Sequence, residues 1–128
     1  MAARFQVVTV VPAGSRGRSA NAAGARIYSW SFLTANNRRL ATAATTFTQV
    51  QACLDAIRSL QEGLSGAVGV LVQVAPARWM WRLSMAGTDC AVSGHSYARR
   101  VRAQLAYELF MAQVPNASST LSVQVRRR

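Results

Sequence analysis

Two stretches decide the reading of this chain: Tyr28-Ser29-Trp30-Ser31-Phe32 and Trp79-Met80-Trp81-Arg82-Leu83. In each, every second residue is large and apolar, the period of a strand with one face in a core. Each is followed by a turn signal (Asn36-Asn37, then Gly87-Thr88) and by a return segment of small residues, Leu40 to Phe47 and Cys90 to Tyr97. A helical pattern comes next in both. The two tryptophans are 81 − 30 = 51 residues apart, and Phe47 and Tyr97 are 97 − 47 = 50 apart, so the copies differ by one residue in the turn. Self-similarity at a fixed period identifies the building block of a fold.

Working outward, Phe5 to Val11 is β-branched and apolar, a strand that ends before Pro12. Residues 13–25 lack both bulk and periodicity and read as a flexible basic loop. The first helix opens at Thr46-x-x-Gln49, a capping-box pattern. It sets Val50, Cys53, Leu54, Ala56, Ile57 and Leu60 on one side and Thr48, Gln51, Asp55, Arg58 and Ser59 on the other. Gly63 ends it. In the second copy Val68–Val74 is a strand broken by Pro76, Arg78–Met85 the aromatic strand and Cys90–Ser93 the return. Ser96 is expected to cap a helix from about Tyr97 to Gln113, with Pro115 beyond its end. Thr120 to Val125 alternates and forms a last strand before Arg126-Arg127-Arg128.

These elements predict an α+β fold in one domain over 1–128: two tandem βββα repeats, residues 4–63 and 66–114, plus a C-terminal strand and arginine tail over 119–128. The short connections argue an antiparallel sheet with both helices packed on one face. A chain of 128 residues can bury roughly two-thirds of its unfolded surface, enough for a single core.

The order of aromatic-x-aromatic strand, Asn/Gly turn, small-residue return and Ala-rich helix resembles the YegP-like family of small bacterial tandem-repeat proteins. The matching elements are Tyr28-x-Trp30-x-Phe32, Asn36-Asn37 and Phe47 in the first copy, and Trp79-x-Trp81-x-Leu83, Gly87 and Tyr97 in the second. They span residues 26–61 and 77–112. The resemblance implies the repeated strand–strand–strand–helix fold and brings no catalytic residues with it, because members of that family largely lack an assigned function. The arginine-bearing loop and tail depart from the family pattern.

Charge carries the functional signal. All fifteen basic residues are arginine, against four acids (Asp55, Glu62, Asp89, Glu108), for a net charge of +11. A GC-rich coding bias accounts for missing lysine but not for missing acids. Such a field favours anionic partners, and arginine forms bidentate bonds to phosphate. Arg16, Arg18, Arg26, Arg38, Arg39, Arg99, Arg100, Arg102, Arg126, Arg127 and Arg128 are the candidate polyanion contacts. No base-reading motif accompanies them, so binding of nucleic acid or another polyanion is expected to be sequence-independent and salt-sensitive.

The copies diverge on the outer side of the second helix. Where the first presents Thr48, Gln51, Asp55 and Ser59, the second presents Ala98, Val101, Leu105 and Leu109, continued by Ala112. A helix apolar on two sides is covered on two sides. The stripe is read as a subunit interface, most simply an isologous homodimer, or a docking site for a protein partner; a terminal segment folded across it is the competing account.

The alternating aromatics read as core, since the helices need such a surface to pack on. Catalysis has little support. His95 is the single histidine, with no acid at a telling spacing, and a pairing with Cys90 is not required by its place near Ser96. Cys53 and Cys90 are too few for a disulfide framework or a zinc site and read as small buried hydrophobes. No cofactor or small-molecule substrate is implied. The start of the chain lacks a secretory pattern and no apolar run approaches the ~20 residues of a membrane-spanning helix, so a cytoplasmic, non-membrane protein is expected.

Overall fold

The computed structural model describes residues 2–11 and 26–127, with Val11 and residues 122–127 described by backbone alone. The basic loop assigned to residues 13–25 lies outside the described residues. The elements follow in the order β1 (Arg4–Val11), β2 (Ile27–Leu33), β3 (Arg39–Ala43), α1 (Val50–Gly63), β4 (Val68–Ala75), β5 (Arg78–Met85), β6 (Thr88–Ser93), α2 (Arg100–Gln113) and β7 (Ser118–Arg127). The seven strands make one sheet ordered β4-β5-β6-β3-β2-β1-β7. Among the described residues no helix is long and apolar enough to cross a membrane.

The sheet is joined at its middle by β3 and β6, which run antiparallel with Thr42 opposite Val92, Ala41 opposite Ser93 and Ala43 opposite Ala91. Thr42 and Val92 are themselves 50 residues apart, so the two halves meet across a local two-fold relation. Ala44 N–H donates to the Cys90 carbonyl (3.2 Å), and Gly94 N–H donates to the Leu40 carbonyl (3.0 Å), one bond on each side of that midpoint. The one-residue difference between the halves sits in the hairpins. Thr34 and Arg38 close a three-residue loop in which Asn37 takes φ 65°, whereas Ala86 (φ 52°) and Gly87 (φ 82°) make a two-residue turn.

Strand alternation sends Phe5, Val7, Trp30, Phe32, Ala41, Ala43, Trp81, Leu83 and Ala91 into one core with Cys53, Ile57 and Leu60 of α1 and Ala106 and Phe110 of α2. Phe110 is its centre. Its ring lies 5.0 Å from Trp81, 5.1 Å from Phe32 and 6.5 Å from Trp30, the last nearly parallel. Edge-to-face and offset contacts of this kind add about 0.5–1.5 kcal/mol each beyond burial. Trp30, Phe32 and Trp81 are thus core, with Tyr28 packed against it, while Trp79 is half-buried outside that cluster.

Three expectations are corrected. The sheet is mixed, because β7 pairs parallel with β1, Arg4 opposite Ser118 and Val7 opposite Leu121. Short connections fix antiparallel neighbours, but no short connection joins β1 to β7, so nothing local sets their direction. Neither helix begins at its expected cap. α1 starts at Val50 and α2 at Arg100, with Gln49 and Arg99 as N-caps and no side-chain cap bond. The preceding aromatic residues are held extended instead. Phe47 exchanges two backbone bonds with Tyr28 (2.7 and 2.8 Å), and Tyr97 does the same with Trp79 (2.6 and 2.7 Å). The strand reading puts one face of β2 in a core, yet Ser29 and Ser31 on its other face are buried too, as are Val8 and Val10 on that same face.

Candidate anion-binding cleft

The pairing of β3 with β6 creates the site. It sets the start of β3, with Arg38 and Arg39, beside the end of β6, from which Gly94-His95-Ser96-Tyr97 leads into α2. Arg99 and Arg102 at the entry of α2 are thereby carried to the same place. An open cleft of about 490 Å3 results, with Arg38, Arg39 and Arg102 on its cationic side, His95, Ser96 and Tyr97 on its polar side, and Leu40, Leu105, Ala106 and Leu109 as its apolar floor. Arg99 joins Arg38, Tyr97 and Arg102 around an adjoining hollow. Arg4 reaches the far side of the turn, where it donates to the Asn37 side-chain oxygen and to the Thr34 carbonyl (3.5 Å).

None of these arginines has a carboxylate partner among the described residues. The ion pairs there are Arg58–Asp55 at 4.0 Å on α1 and Arg82–Asp89 at 3.8 Å on β5 and β6. Arg39 also lines a second hollow on the other side of the turn, shared with Arg4 and His95, and its Nε is buried with no hydrogen-bond partner. The planar guanidinium presents paired donors that suit a carboxylate or a phosphate. Burial pushes the Tyr97 hydroxyl above the ordinary tyrosine range, with the Arg38 charge beside it pulling the other way. Tyr97 therefore stays a neutral hydroxyl, able to donate to an anion.

The candidate contacts divide. Arg38, Arg39 and Arg102 line the cleft, Arg99 meets Arg38 and Arg102 at the adjoining hollow, and Arg4, which sequence reading missed, meets Arg39 on the other side of the turn. Arg100 points elsewhere, bonding Gln104 at 3.5 Å and lining a separate hollow with Tyr107 and Glu108. Arg26 is exposed immediately before β2, at the end of that strand away from the Asn37 turn. Arg126 and Arg127 fall in β7, where only the backbone is described, while Arg16, Arg18 and Arg128 lie outside the described residues. The stripe on α2 is open: Val101, Leu105 and Leu109 are 55%, 52% and 42% exposed, and Ala98 and Ala112 are exposed beside them.

The cysteines stand apart from this site. Cys53 is buried on α1, where desolvation pushes its thiol up to about 11. Cys90 packs against the core with its Sγ donating to the Leu83 carbonyl at 3.3 Å, while His95 lines the cleft. Burial and the neighbouring Asp89 raise the Cys90 thiol as well, partly offset by a backbone hydrogen bond.

No family model and no curated protein matches the chain. Two solved structures share its fold. The solution structure of YegP from E. coli, a protein of unknown function, superposes with a TM-score of 0.63 at 14% identity, covering 100% of this chain and 94% of that one. A UPF0339 protein from Shewanella oneidensis superposes with a TM-score of 0.62 at 9% identity, covering 99% and 92%. The seven-stranded sheet with its two helices is therefore the YegP-like fold.

Proposed function

We propose that this chain is a non-enzymatic binding protein whose arginine cleft receives the anionic groups of a polyanion through sequence-independent contacts. One observation carries the reading: four arginines from two distant segments line one cleft and its adjoining hollow, with no carboxylate beside them among the described residues. The fold alone does not require this. Read as tandem copies offset by 50 residues, the positions of Arg99, Arg102, Leu105 and Leu109 correspond to Gln49, Ala52, Asp55 and Ser59, and that of Arg39 to Asp89. The same backbone thus carries a cationic, apolar cleft at one place and a polar, partly acidic surface at the other.

Electrostatic binding of this kind releases counterions. If about four phosphates are neutralised, log Kobs falls with log salt at a slope near −3 to −4. Anisotropy of labelled single- and double-stranded oligonucleotides and of labelled polyglutamate across a salt series tests it, with Arg38→Glu/Arg102→Glu as the control. Tight binding at low salt that is lost in the variant is expected. Absence of binding to all three at low salt overturns the reading.

The open stripe on α2 favours a second reading, in which a protein docks on Val101, Leu105 and Leu109. The two readings share ground, since Leu105 and Leu109 belong to the cleft floor.

A further inference from the structure

We propose that the cleft and the stripe together seat one acidic amphipathic helix of a partner protein, its carboxylates against Arg38, Arg99 and Arg102 and its apolar side on Val101, Leu105 and Leu109. This rests on the anion-binding reading and names the ligand class of that site.

The geometry of α2 supplies the first argument. At 100° per residue, Val101, Leu105 and Leu109 fall within an arc of about 80°, and Arg102 continues that arc toward the cleft. A flat apolar strip of two to three turns bordered by cations on one side is the complement of a helix with apolar residues at i, i+4 and i+7 and acids along one edge. Glu108 borders the opposite side of the strip, where it is held by Gln104 at 3.1 Å. The charge border is therefore one-sided and fixes which flank of the incoming helix must be acidic.

Nucleic acid uses only half of this surface. A phosphate backbone has no apolar area to cover three large aliphatic side chains exposed by 42% to 55%. Bases stack on aromatic planes, but Trp30, Trp81, Phe32 and Phe110 are fully enclosed in the core. Tyr97, half-buried, is the aromatic ring that lines the cleft, and its neighbour Trp79 is half-buried as well.

A second copy of this chain also fits poorly. Two α2 helices related by a two-fold axis and packed antiparallel on their stripes bring like flanks together, setting the Arg102 side of one against the Arg102 side of the other. A copy is also poor in free carboxylates. Asp55 and Asp89 face Arg58 and Arg82, Glu108 is held by Gln104, and this leaves the exposed Glu62 of α1 against three arginines. That balance favours a different, more acidic chain.

The test uses four labelled probes: a peptide of about 18 residues, five helical turns, with leucines on one face and glutamates along one flank; its lysine-for-glutamate counterpart; a glutamate-rich peptide without leucines; and a single-stranded oligonucleotide. The glutamate–leucine peptide is expected to bind and the lysine counterpart not to. Arg38→Glu/Arg102→Glu and Leu105→Ser/Leu109→Ser are each expected to weaken that binding by roughly tenfold or more. The leucine positions are half open, so the serine variant stays folded with a modestly lower melting temperature, which a thermal scan checks. Equal binding of the leucine-free peptide, or an unchanged affinity in the serine variant, overturns this inference and leaves the anion reading standing. So does an oligonucleotide that binds more tightly than the peptide and ignores the serine variant. Failure of every anionic probe to bind overturns both.

Discussion

Gly94 lies against the backbone carbonyl of Arg39. A Cβ placed on Gly94 would meet that oxygen at 2.5 Å, and Gly94 N–H already donates to the next carbonyl, that of Leu40, at 3.0 Å. Backbone on both sides cannot yield as a flexible side chain would. Gly94→Ala is expected to cost about 1–3 kcal/mol by overpacking. It should also shift the start of β3 and weaken anion binding, although no cleft arginine is changed. Denaturant unfolding and the oligonucleotide assay read the two effects separately.

Phe110 joins both halves of the core, so its truncation should be felt throughout. Phe110→Ala is expected to cost about 3–5 kcal/mol, a large share of the 5–15 kcal/mol that holds a typical domain together. Trp30 and Trp81 border the cavity this leaves. Their fluorescence should redden at lower denaturant than in the parent, and an unchanged midpoint would contradict the packing described.

The two sides of α2 should behave oppositely. Val101→Ser, on the open stripe, is expected to change stability by no more than about 0.5 kcal/mol. Ala103→Leu, at a fully enclosed position on the core side, is expected to cost about 1–3 kcal/mol by overpacking. Matched thermal melts check the contrast.

Alkaline pH should destabilise the fold. The Cys53 thiol rises from its ordinary 9.0 to about 11 on folding, and burial raises Cys90 and Tyr97 in the same direction. A raised folded-state value means the unfolded chain loses its proton first. The contribution is therefore intact below about pH 9 and lost as pH climbs toward 11. Urea midpoints across that window should fall, less steeply in Cys53→Ala relative to its own value at neutral pH.

Ala77 takes φ 56° in the Pro76-Ala77 turn between β4 and β5. Left-handed backbone costs an alanine about 1 kcal/mol or more, and glycine adopts it freely. Ala77→Gly is expected to stabilise the protein by a few tenths to about 1 kcal/mol, readable as a raised melting temperature.

Most of the strands and the core were legible because alternation and helical spacing are local signals. Trp30, Phe32, Trp81 and Leu83 lie where a period of two places them, and Cys53, Ile57 and Leu60 where a period of 3.6 does. The helix starts were misread because Thr46-x-x-Gln49 has the spacing of a capping box, yet Phe47 is already committed to a bridge with Tyr28. The cleft was only half legible. Its arginines were individually visible as a charge excess, but Arg39 and Arg102 become neighbours through the β3–β6 pairing, which no local pattern encodes. Arg4 was missed for the same reason, since its partner Asn37 is 33 residues away.

The parallel pairing of β1 with β7 has a consequence for how the protein is made. The Thr120 hydroxyl donates to the Phe5 carbonyl at 3.2 Å, across 115 residues of chain. On a ribosome adding about 5–20 residues per second, β1 waits on the order of ten seconds for that neighbour. During that wait its outer edge is a row of unsatisfied amides and carbonyls open to any passing strand. β1 thus keeps an open edge until the last strand of its sheet is made.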